Sequence, residues 1–283
     1  IENAVQQAAK LGYQAGVDLF PVKGNNQFVA TITFSKIVNI NTQGLADMIA
    51  GRHTNRNAGD SKPLGESELS YLTGVFSEPD LSLGFITDRN GIVKFAEIAG
   101  EAERLRLTTG GLHIEYQHML KHMNDGDQPG VQGWGPAMSL AMDVISDPRV
   151  SDLLGRWDLG SGFSKHFREL VSSSGAIGFI SGDEVSIRTA VKAGMAAERV
   201  WLQATQLGLA IHPISMPLAL LRADCAVPAE KKSYLSSLCQ QLSLIFSGVE
   251  ATNVLFLFRV SHAGAVHARS PRRPPDKDLI KLE

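Results

Sequence analysis

Apolar residues recur along the chain with two periods, and each change of period marks an element. Spacing near 3.6 predicts a helix over residues 1–12, where Ala4, Val5, Ala8, Ala9 and Leu11 form a stripe. β-Branched and aromatic residues from Phe28 to Phe34 predict a strand. A short helix over about 43–51 runs into the polar cluster Arg52-His-Thr-Asn-Arg-Asn57. Residues 66–76 have helical spacing, 81–87 read as a strand, and 91–121 are helical again with a break at Gly110-Gly111. The glycine-rich stretch Asn124–Pro136 predicts a loop. A helix over 162–172 and a buried strand over 176–181 follow.

The clearest periodicity lies at 184–207, where Ile187, Ala190, Val191, Gly194, Met195, Ala197, Val200, Trp201 and Ala204 share helical spacing and Gly208 supplies the stop. A strand over 209–214, a proline-bounded turn, a helix near 229–247 and a strand over 253–260 complete the pattern. Helices and strands mix without a regular βαβ cadence, which predicts an α+β fold. No repeat or long linker divides the chain, so residues 1–283 read as one domain.

Charge and composition narrow the function classes. The 27 basic and 29 acidic residues give a net charge of −2, so no global field draws in nucleic acid or an anionic membrane. No apolar run approaches the roughly 20 residues of a membrane-spanning helix. Two cysteines, Cys225 and Cys239, suit a reducing compartment, and the cytoplasm is the expected location. Ile1-Glu2-Asn3-Ala4 has neither the basic start nor the apolar core of a signal peptide.

The sharpest chemical signal is Arg52-His53-Thr54-Asn55-Arg56. Guanidiniums, an imidazole and a hydroxyl in so short a span offer many donors and no acidic group, which suits a phosphate monoester. Spacing alone leaves open a solvated helix end with cations near its C-terminus. The tail is a second basic cluster, with Arg259, Arg269, Arg272, Arg273, His262 and His267 and no acid between Ala251 and Pro275. By itself it reads as a flexible basic terminus. His113, Glu115, His118 and His122 share one helical stretch, but a carboxylate-bridged metal bundle needs a second such helix, so a surface histidine face is expected and no metal. Gly160-Ser-Gly-Phe-Ser-Lys165 lacks the ending of a phosphate loop. Neither a Gly-x-Ser-x-Gly elbow nor a dinucleotide fingerprint occurs.

Arg52-His-Thr-Asn-Arg56 resembles the Arg-(Arg/His)-(Ser/Thr)-x-(Arg/Lys) signature of the flavin-dependent nitroreductase family. The segment from Ala190 to Pro213 and the Arg-rich ending are similar to that family's core helix, following strand and C-terminus. The layout is closest to the long, internally fused nitroreductases, in some of which an adenylyl-transferase-like domain comes first, so the chain is expected to be the C-terminal part of a longer protein.

The resemblance implies an α+β fold with a mixed sheet flanked by helices, and FMN held without a covalent bond at a dimer or pseudo-dimer interface. It implies that Arg52, His53, Thr54 and Arg56 bind the phosphate and ribityl chain, joined by Arg272 or Arg273. Ile214, Ser215 and Met216 would lie against the flavin ring, where a backbone N–H would hydrogen-bond it. The implied activity is ping-pong transfer from NAD(P)H to nitroaromatic or quinone-like acceptors, with the flavin, and no catalytic side chain, carrying the redox step. One departure is that the family's Ser-x-x-Asn-x-Gln-Pro-Trp-like segment is missing, and Lys23-Gly-Asn-Asn-Gln-Phe28 lacks the Pro-Trp. That leaves a non-catalytic flavin-binding or dimerisation module as the alternative.

Overall fold

The computed structural model describes residues 1–37, 44–109, 136–222, 232–246 and 248–266. Four strands form the central sheet: β3 (Leu81–Ile86), β4 (Ala176–Gly182), β5 (Ala210–Pro213) and β6 (Val254–Ser261), in the order β3-β4-β6-β5. Every pairing among them is antiparallel, where the resemblance implied a mixed sheet. β4 is almost wholly buried because helices cover both faces. Such a strand needs a continuous apolar run, and Ala176-Ile-Gly-Phe-Ile180 supplies it. Gly178 is required there, since a Cβ would collide with the Phe258 ring on β6.

Period-2 alternation divides the sheet between two cores. Ile177, Phe179 and Leu257 join Phe95, Ala99 and Phe246 on one side. Phe258, Val260 and Ile211 meet Val200, Trp201 and Leu202 on the other. The first core belongs to α3 (Arg89–Leu107) and, beside it, α6 (Ser161–Ser172), α8 (Met216–Arg222) and α9 (Lys232–Ile245). The second belongs to α7 (Ile187–Gln206), which starts at the Ser186 cap, with Ser186 Oγ accepting from Thr189 N at 3.2 Å. Gly208, at φ 71°, ends the turn after it in the left-handed conformation expected of a helix stop. Truncating a buried aromatic such as Phe95 to Ala is worth about 3–5 kcal/mol in cores of this kind.

Several elements depart from the pattern in the sequence. α1 (Glu2–Lys10) forms, yet Leu11 is 64% exposed, while Glu2, not counted in the stripe, is buried. Its carboxylate accepts from Arg199 Nε and Nη2, each at 2.9 Å, and that ion pair takes precedence over the apolar stripe. β1 (Tyr13–Leu19) was not foreseen; it pairs with β2 (Ala30–Lys36) in a hairpin outside the main sheet. The segment expected as a helix at 43–51 shrinks to one 3₁₀ turn, Leu45–Met48, between glycines 44 and 51. α2 (Glu66–Gly74) falls as expected. α4 (Pro136–Val144) and α5 (Pro148–Arg156) were missed, and the turn after Pro213 contains the short α8. On α7 the buried face is Ala193, Ala196, Ala197, Val200, Trp201 and Ala204, whereas Ile187 and Gly194 are exposed.

Candidate functional site

The chain leaves the 3₁₀ turn through Arg52, whose amide donates to Met48 O at 2.9 Å, and runs extended to Gly59. Asn55 organises this loop. Its amide donates to Ile211 O on β5 at 3.0 Å, and its Oδ1 accepts from Asn57 N at 3.0 Å. Its Nδ2 donates to Gly264 O at 2.9 Å, just past β6. Asn57 Nδ2 adds bonds to Gly264 O and Ala265 O, both at 3.1 Å, and Gly59 bridges Ala263. The loop and the start of the C-terminal segment are therefore fastened together. Sequence reasoning left Asn55 as the variable position of the motif and missed this role. A short polar side chain between two arginines, able to make an Asx turn, was the available signal.

The loop's side chains separate. Arg52 turns toward α7: its Nε lies 2.9 Å from Glu198 Oε1 and its guanidinium sits 4.6 Å from the Trp201 ring centroid. His53 is half-buried, and its Nδ1 donates to Gly51 O at 2.6 Å, which fixes the proton on that nitrogen. Thr54 is half-buried and makes no hydrogen bond among the described residues. Arg56 lies on the other side, close enough to His212 on β5 for its charge to act on that ring.

Beside Arg56 is a buried pair, Arg259 and His212, of which the sequence had singled out only Arg259. Arg259 is 1% exposed, although it was grouped with the basic tail. It stands opposite His212 in the β5–β6 register, on the face lined by Leu257. Arg259 Nε donates to His212 Nδ1 at 3.1 Å, Nη1 reaches Ser261 Oγ at 3.4 Å, and Nη2 donates to Asn57 O at 2.7 Å. No carboxylate pairs with it among the described residues. Burial pulls its guanidinium down to about 10. His212 is pushed well below the usual imidazole range by burial, then by the charges of Arg259 and Arg56. It is therefore neutral, with Nδ1 as acceptor and the proton on Nε2. The signal in the sequence was an Arg and a His, each inside an otherwise apolar strand.

The segment after Pro213 divides as well. Ile214 is core, and its amide donates to Leu257 O at 2.8 Å, so that N–H is already used. Ser215 is exposed and Met216 half-buried at the start of α8. Arg272, Arg273, Arg269 and His267 lie outside the described residues, as do His113, Glu115, His118 and His122. Among the described residues no group of three His, Cys, Asp or Glu is placed to hold a metal ion, and no helix is long and apolar enough to cross a membrane.

No family model matches the chain. Its sequence is similar to an uncharacterized protein of Mycobacterium tuberculosis, 28% identical over 235 residues, which are 78% of this chain and 32% of that protein. It is also similar to a protein of the same organism provisionally named an NAD(P)H nitroreductase, 28% identical over 239 residues, or 81% of this chain and 64% of the other. The chain thus spans from about a third to just under two thirds of the length of these relatives.

Solved structures similar to it include a Bacteroides fragilis nitroreductase with bound FMN (TM-score 0.48, 13% identity, 86% of this chain and 100% of that one). Another is the FMN-dependent nitroreductase NfnB of Mycobacterium smegmatis in complex with NADPH (TM-score 0.46, 15% identity, 85% and 99%). The chain resembles the nitroreductases, as Arg52–Arg56 implied, and its fold is α+β.

Proposed function

We propose that the protein is an FMN-dependent NAD(P)H oxidoreductase of nitroreductase type that reduces nitroaromatic or quinone-like acceptors. One observation carries the reading. Asn55 and Asn57 fasten the chain beyond β6 to the Arg52–Gly59 loop, beside a buried guanidinium with no carboxylate partner among the described residues. Arg56 and the chain leading to Arg272 and Arg273 then start from one place. A donor set of this kind, cationic and, among the described residues, without an acid paired to Arg259, fits a phosphate monoester. The match to a protein provisionally named an NAD(P)H nitroreductase supports the same reading.

In this reading Arg56, with Arg272 or Arg273, grips the phosphate, and His53 and Thr54 face the ribityl chain. Arg52 joins them only by exchanging Glu198 for the phosphate. Ser215 and Met216 edge the ring, while Ile214 supports them from the core. When bound, FMN would supply the hydride and electron-transfer chemistry between NAD(P)H and the acceptor. The protein's part is binding, orientation and a positive field at the phosphate. We place the working unit as a homodimer, or as a pseudo-dimer with a preceding half of a longer chain, in the cytoplasm.

The test is flavin absorbance of the purified protein, saturation by added FMN, and anaerobic bleaching by NADH or NADPH. Failure to take up FMN contradicts the reading. Uptake without bleaching selects the second reading, a non-catalytic flavin-binding module. That alternative is favoured by the Ile214 amide being spent on Leu257 and by the missing Pro-Trp segment.

A further inference from the structure

Buried guanidiniums are costly to desolvate, and the usual remedy is a carboxylate partner. Arg259 has instead three neutral acceptors: His212 Nδ1, Ser261 Oγ and the Asn57 carbonyl. These give each of its three nitrogens an acceptor and leave its charge in place. His212 is held neutral between Arg259 and Arg56, so it adds an acceptor without adding to the repulsion. The Arg259 fork also reaches the carbonyl of Asn57, one residue past Arg56, so the same side chain that stores the charge fixes the backbone presenting Arg56.

We infer that Arg259 is a positioning residue of the anion site, held by neutral His212, which fixes the loop at Asn57 and supplies a buried positive charge behind Arg56 that selects a phosphate-bearing ligand over its uncharged counterpart. The inference rests on the flavin reading above, and deepens it by naming what distinguishes FMN from riboflavin. The site takes the dianionic phosphate as an already neutralising partner. Riboflavin, with the same ring and no phosphate, gains nothing from that charge.

The experiment is fluorescence titration of the purified protein with FMN and with riboflavin, comparing the wild type with Arg259→Gln and Arg259→Lys. Gln keeps an N–H for the Asn57 carbonyl and removes the charge, whereas Lys keeps the charge and loses the fork. The ratio of riboflavin to FMN dissociation constants falls about tenfold or more in Arg259→Gln, through weaker FMN binding alone. Arg259→Lys stays within about threefold of the wild type. Equal weakening of both ligands, an unchanged ratio in Arg259→Gln, or equal loss in both variants overturns the proposal.

Should Arg259→Gln fail to fold, His212→Phe decides. Loss of the Nδ1 acceptor lowers the same ratio about threefold or more, and an unchanged ratio counts against the inference. If the wild type binds neither flavin, the flavin reading fails by itself. Inorganic phosphate then separates the two claims. A phosphate-dependent rise in Tm shared by the wild type and Arg259→Lys, and absent in Arg259→Gln, supports the anion site. No rise in the wild type, or the same rise in all three proteins, overturns it.

Discussion

Two arginines in this molecule, one half-buried and one fully buried, are solved in opposite ways. Arg199 on α7 meets Glu2 in a two-pronged ion pair and also reaches Glu78 at 3.4 Å, so its charge is cancelled where it sits. Arg259 on β6 is more deeply buried, yet its partners are an imidazole, a hydroxyl and a carbonyl. The first arrangement ties α1 to α7, and its work ends in the fold. The second leaves a cation with no carboxylate partner among the described residues, next to a loop that carries further basic side chains. The contrast teaches that burial alone does not mark a functional charge; burial without a counter-charge does.

The largest expected effect tests the paired side. Arg199→Met strands the Glu2 carboxylate in a buried position and costs about 3–5 kcal/mol in urea unfolding. Arg259→Met removes a charge that has no ion-pair partner among the described residues, so its cost stays below about 2 kcal/mol, mostly from the lost bonds to His212 and Asn57. Similar costs for the two variants would break the comparison. Asn55→Ala follows, at about 1–2 kcal/mol, because it removes the side-chain bonds to Gly264 O and from Asn57 N, while the backbone bond to Ile211 O stays, and the C-terminal segment loosens. Hydrogen exchange at residues 263–265 should rise with it.

The fold was largely legible where one period ran long enough. α7, β4 and β6 follow from runs of apolar residues with clear stops, and Ser186 and Gly208 bound the helix within a few residues. β1 was illegible because Gly16 and Asp18 interrupt a strand whose partner is supplied only by the hairpin. The candidate site was legible as a set of donors, not as a geometry. Arg52 and Arg56 look equivalent in the sequence, and only the proximity of Glu198 and Trp201 to one, and of His212 to the other, separates them. Arg259 was visible as a residue and misread in context, since its burial depends on β4 and β5 lying on either side.

A pH series sharpens the Arg259 side. His212 has its folded pKa depressed, so as pH falls below the ordinary imidazole value of 6.5 the unfolded chain takes a proton that the folded chain refuses. Stability then declines by up to about 1.4 kcal/mol per pH unit, and this contribution is constant above that range. The decline is read as the difference between the wild type and His212→Phe in urea unfolding from pH 8 to pH 5. An identical slope in both proteins would remove His212 from the account. The smallest effect belongs to Arg52→Lys, which keeps the charge beside Glu198 and loses the planar stacking on Trp201, at about 0.5–1 kcal/mol.

The central claim, that basic groups gathered around the Arg52–Gly59 loop recognise the phosphate of a flavin nucleotide, is tested most directly by measuring the affinities of the wild-type protein for FMN and riboflavin side by side. FMN binding at least about a hundredfold tighter than riboflavin, with the advantage shrinking as salt is raised, is the predicted result. Equal affinities, or no binding of FMN at all, would contradict it.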